Sequence, residues 1–110
     1  MEFFETEKGS LRAKFEPEKV ALSDFLEGDV QGNPIYCREV IDEALGVKTG
    51  RQEKWEIDGN AYSLTVTKDK ALLEGLWEEG MNLEVPIDDF IQAVSGWLKF
   101  LESPDRKPLR

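Results

Sequence analysis

The stretch from Pro86 to Glu102 constrains the fold more than any other part of the chain. Phe90, Val94, Trp97 and Leu101 recur at spacings of four, three and four, the period that places them on one face of a helix. Ile91 and Leu98 widen that stripe. Asp88 and Asp89 fall in the first turn, where carboxylates meet the positive end of the helix dipole. Pro86 precedes them at no cost, because the first amides of a helix have no intrahelical partner. Ser103-Pro104 stops the pattern, since a residue before proline is pushed out of the helical region. A face this wide needs a large apolar surface opposite it. An antiparallel sheet with one buried face supplies one.

The remaining chain contains the strands for that sheet. Met1 to Phe4 and Leu11 to Phe15 read as a hairpin across Lys8-Gly9-Ser10, with Leu11, Ala13 and Phe15 alternating against Arg12 and Lys14. Val20 to Leu26 fits either a third strand or a short helical turn opening at Ser23-Asp24, and Gly28 to Asn33 reads as a loop. Asn33 as N-cap and Pro34 in the first position open a helix whose apolar face is Tyr36, Val40, Ile41, Ala44 and Leu45, with Gly46 as its C-cap. A polar linker from Lys48 to Lys54 carries the internal basic cluster of Lys48, Arg51 and Lys54.

The clearest sheet signal follows. Trp55 and Ile57 alternate with charges, and Asp58-Gly59 or Gly59-Asn60 makes a tight turn. Tyr62, Leu64 and Val66 then alternate with Ser63, Thr65 and Thr67. Lys68-Asp69 turns again, Ala71 to Trp77 returns, and Met81 to Val85 pairs last. The expectation is a single α+β domain over residues 1–103. It has an antiparallel sheet of about 4–6 strands with two helices on one face, in the order strands, helix, meander, helix. Residues 104–110 are expected to be a flexible tail.

At 110 residues one core is enough. No apolar run reaches the roughly 20 residues of a membrane span. No charged-then-apolar leader is visible, and the single cysteine, Cys37, fits a reducing compartment, so a cytoplasmic location is expected. A net charge of −9 with a pI near 4.5 opposes direct contact with nucleic acid or anionic membrane. It favours solubility, and it suits a basic protein partner.

Catalysis is not expected. The chain has no histidine, which removes the usual general base and the commonest neutral metal ligand. Cys37 lies within a helix with no base to activate it, so it reads as a buried structural thiol. Asp88 and Asp89 diverge around a helix, and Asp58-Gly59-Asn60 lacks the remaining ligand positions of a calcium loop. Neither metal nor cofactor is expected.

Charge distribution is what remains. From Ala71 to Leu98 there is no lysine or arginine, while Glu74, Glu78, Glu79, Glu84, Asp88 and Asp89 all occur. A second base-free stretch, Val20 to Cys37, holds Asp24, Glu27 and Asp29. If the last strands share an edge with the start of the closing helix, these acids gather into one negative region. Trp77 and Met81 would then lie among them, with the aromatic Trp77 as an anchor. The competing reading is an ordinary solvated face with Trp77 in the core. The basic tail, Arg106, Lys107 and Arg110, reads as a solubilising terminus.

Two resemblances add to this. The run Lys54-Trp55-Glu56-Ile57-Asp58-Gly59-Asn60-Ala61-Tyr62-Ser63-Leu64, a strand pair, and Asp89-Phe90-Ile91-Gln92-Ala93-Val94 together resemble the small uncharacterised YacL-like proteins of bacteria, over residues 40–101. That resemblance speaks to fold. By type, a small acidic α+β chain is also similar to the immunity proteins of bacterial toxin systems, which cover a basic nuclease with carboxylates. The resemblance implies an inhibitor but carries over no residue; the charge distribution supplies the expected partner contacts, Glu74, Glu78, Glu79, Glu84, Asp88 and Asp89 as charges with Trp77 as anchor. The alternative is an accessory domain that self-associates, as a homodimer for example, through a sheet edge, its acidity serving solubility alone.

Overall fold

The computed structural model describes residues 1–77 and 82–103. Strands β1 (Glu2–Glu5) and β2 (Leu11–Lys14) form the expected hairpin, which is a sheet of its own. A second sheet contains β3 (Trp55–Asp58), β4 (Tyr62–Val66), β5 (Lys70–Gly75) and β6 (Asn82–Pro86) as an antiparallel meander in that order. Helices α2 (Pro34–Lys48) and α3 (Ile87–Leu101) are the two that the spacing predicts. The fold is α+β.

The ambiguous segment is helical. A 3₁₀ turn at Pro17–Lys19 leads into α1 (Val20–Asp24), and a π-helical turn over Phe25–Val30 continues it. Ala21, Leu22, Phe25, Leu26 and Val30 all face the core, so the winding follows burial and not strand alternation. Gly28, Asp29 and Val30 therefore belong to this turn and not to the expected loop. Gln31, at φ 57°, ends it in the left-handed region.

Helix α2 opens as its sequence dictates: the Asn33 side chain accepts the backbone N–H groups of Ile35 and Tyr36, each at 3.1 Å. Its end lies further on than expected. Gly46 is a buried residue inside the helix, and the glycine that closes it is Gly50, at φ +86°. The amide of Arg51 bonds the Gly46 carbonyl at 2.8 Å and that of Gly50 bonds Val47 at 3.2 Å, the paired bonds of a Schellman closure. The buried stripe is Cys37, Val40, Ala44 and Val47, while Leu45 is exposed.

Helix α3 buries Phe90, Val94, Trp97 and Leu101 as the spacing requires. It lies against β5, β6 and α2. The two long helices run antiparallel, tied by ion pairs at both ends: Arg38 with Glu102, and Lys48 with Asp88. Lys48 ends one helix where Asp88 begins the other, so each charge also complements a helix dipole. Tyr62, Leu64, Val66, Ala71, Leu73 and Val85 form the buried face of the sheet. Its other face carries Glu56, Ser63, Thr65, Glu74 and Glu84 towards solvent. Phe3 of the first hairpin caps the core, its ring 5.5 Å from Trp97 and 6.1 Å from Phe100.

Candidate functional site: an aromatic cleft at the β3–β4 end of the sheet

The π-helical turn supplies a carboxylate that holds the β3–β4 turn. Asp29 accepts the backbone N–H groups of Asn60 and Ala61 at 2.9 Å and of Tyr62 at 3.2 Å. The Asn60 side chain donates back to the Gly28 carbonyl at 3.1 Å. This clamp sets the register of the turn. Gly59 N–H bonds the Tyr62 carbonyl at 2.8 Å, so the turn is centred on Asn60-Ala61 and not on Asp58-Gly59 or Gly59-Asn60. Asp29 also lies close enough to Tyr36 that, after burial, its charge pushes the phenol above the usual range, with Glu39 adding to this.

Trp77 depends on the same turn. Strand β5 ends at Gly75, short of the expected Trp77, and the Leu76 amide bonds the Ala61 carbonyl at 2.9 Å. The Trp77 indole N–H then donates to the Asn60 carbonyl at 2.9 Å, while the side chain is 81 % exposed. An indole held by its N–H with its faces in solvent is not a core residue.

Beneath it opens a cleft of about 420 Å³, between β4, β5, the first hairpin and the π-helical turn. Tyr62 forms part of its wall, and its hydroxyl donates to Asp24 at 3.1 Å. Glu27 accepts the Ala13 amide at 2.8 Å on one oxygen and pairs with Arg12 at 3.1 Å on the other. Gly28, Ala61 and Gly75 keep the remaining wall low. Among the described residues, no lysine or arginine pairs with Asp24.

The acids expected to form one negative region are divided. Glu74 projects from the outer face of β5, opposite Ser63 on one side and Asn82 on the other, at the Trp77 end of the sheet. Asp88 and Asp89 begin α3 at the opposite end, where Lys70 faces Pro86. The length of β5, roughly 16 Å, separates the two groups. Glu84 pairs with Lys70 at 2.6 Å, a bond that holds the Lys70 ammonium above its usual range. Asp88 is taken by Lys48. Glu78, Glu79 and Met81 lie outside the described residues, as does the tail at 104–110. What the fold does bring to Trp77 is Asp24 and Glu27, from the other base-free stretch. Arg12 and Tyr62 carry no sequence signal for the cleft, because only tertiary packing brings them there.

Residues 1–81 match the model of an uncharacterised protein family, UPF0231. The chain belongs to that family. The match takes in the hairpin, the π-helical turn, the Asp29 clamp and Trp77, and it stops before β6 and α3. No curated protein and no solved structure matches the chain.

Proposed function

We propose that this family member is a non-enzymatic binding protein that docks a basic protein partner at the Trp77 end of the sheet. In its sharper form the proposal is an inhibitor of the immunity type, covering the basic site of a toxin with carboxylates. The observation that carries it is Trp77: 81 % exposed, fixed by its N–H to Asn60, and sharing its cleft with Asp24 and Glu27. Aromatic anchors ringed by charge dominate binding energy at protein interfaces. A net charge of −9 would steer a basic partner and make association fall with salt. Recognition fits the cleft better than turnover does. Both its carboxylates already accept hydrogen bonds, and the chain has no histidine to move a proton.

Self-association through a sheet edge is the weaker reading. Edge strand β3 carries Glu56 and Asp58, and edge strand β6 carries Glu84 and ends in Pro86. Charge and proline on an edge oppose pairing with a second copy.

The test is affinity capture from cells of the source organism at low salt, with a salt gradient, beside a column carrying the Asp24→Asn, Trp77→Ala variant. A stoichiometric basic protein kept by the parent chain and lost by the variant supports the proposal. Equal retention on both columns, or recovery of the chain only as a homo-oligomer, contradicts it.

A further inference from the structure

The chemistry of the cleft narrows the partner group that enters it. Glu27 is neutralised by Arg12 and its second oxygen is occupied by the Ala13 amide. Among the described residues, the charge left to the cleft is therefore Asp24, one of whose oxygens accepts the Tyr62 hydroxyl. The exposed indole of Trp77 lines the same cleft. An exposed indole beside a carboxylate suits a cation, which aromatic faces attract. Such a pair suits a planar cation better than a compact one. A guanidinium can stack on an indole and bond a carboxylate through two N–H groups at once, whereas an ammonium keeps its water. Arg12 strengthens this preference: a positive charge already lies at the rim, and a delocalised, weakly hydrated cation tolerates it better than a point charge.

We infer that the cleft is the receptor for an arginine side chain of the partner protein, with the guanidinium on Asp24 and its flat face against Trp77. The inference rests on the docking role proposed above and adds the group recognised.

The experiment follows the indole N–H signals of the full chain by NMR during titration with arginine capped at both ends as acetyl and methylamide. Capped lysine, capped citrulline and free arginine serve as comparators. The Trp77 signal is expected to shift saturably with capped arginine, at least about threefold more weakly with lysine, and not with neutral citrulline. The signal of Trp97, which is fully buried, should stay in place. Two variants complete the test. Asp24→Asn removes the charge while leaving an acceptor for Tyr62, and should abolish the shift. Gly28→Leu adds bulk to the cleft wall, where a Cβ meets nothing within 4 Å, and should weaken the shift without lowering the melting temperature.

An equal response to citrulline, or an undiminished shift in Asp24→Asn, overturns the inference. Tighter binding of free than of capped arginine also overturns it, because the cleft would then take a free amino acid. Should the capped-arginine shift fail while the Asp24→Asn, Trp77→Ala column still loses a basic protein, docking stands and the arginine assignment falls. Should the shift appear while no basic protein is retained, the docking role falls, and with it the assignment of the arginine to a protein.

Discussion

The carboxylate of Asp29 occupies the space that a side chain on Gly59 would need. A Cβ at Gly59 would lie 2.6 Å from Asp29 Oδ2 and 2.7 Å from Cγ, closer than any real contact allows. The two residues are one device. The missing side chain lets the carboxylate reach the amides of Asn60, Ala61 and Tyr62, and those bonds position the carbonyl that holds Trp77.

Removing either half should cost stability. Asp29→Ala leaves three amides without their acceptor and should lower unfolding free energy by about 1–3 kcal/mol. Gly59→Ala forces the carboxylate away and should cost about the same. Urea unfolding measures both. The double variant should cost less than the sum, since either change alone already breaks the same contact.

Two tryptophans should behave as opposites. Trp97 is fully buried and donates its indole N–H to the Gln31 carbonyl at 2.8 Å. Trp97→Ala should therefore cost about 3–5 kcal/mol. Trp77→Ala should cost less than about 1 kcal/mol. Trp77→Phe should also shift the fluorescence emission to shorter wavelength, because it removes the most exposed indole.

Much of the fold was readable because its signals are local. The 4-3-4 spacing of Phe90, Val94, Trp97 and Leu101, the Asn33-Pro34 start and the strict alternation from Tyr62 to Val66 each lie within one element. What was misplaced depended on distant partners. Gly46 looks like a helix end in sequence, and only the bonds from Arg51 and Gly50 show that the closure comes four residues later, at Gly50. The β3–β4 turn is shifted by Asp29, which lies 31 residues before Asn60. The cleft was legible only in part: Trp77 and the acid-rich Val20 to Cys37 stretch were visible, but nothing in sequence places Asp24 and Glu27 beside Trp77. Glu84 and Asp88 looked available because their cations, Lys70 and Lys48, come from other elements.

Cys37 should be inert in the folded chain. It is fully buried, its Sγ–H donates to the Val94 carbonyl at 3.5 Å, and burial pushes the thiol up to about 11, a little offset by Arg38. At pH 8 only about 0.1 % would be thiolate, so alkylation by iodoacetamide should track unfolding. The raised value also sets a sign. The thiol form is favoured by folding, so its contribution is complete below pH 9 and is lost as pH rises towards 11. Cys37→Ala should lose less stability than the parent over that interval, measured by urea unfolding at each pH.

The most direct test of the docking face is the affinity of the captured partner for variants at the two ends of the sheet, measured by calorimetry with melting temperatures as the control. Asp24→Asn combined with Glu74→Lys should weaken binding at least about tenfold while the domain stays folded. Asp89→Lys, at the far end, should change it by no more than about threefold. Unchanged affinity in the first variant, or a larger loss in Asp89→Lys, would contradict the placement of the interface at Trp77.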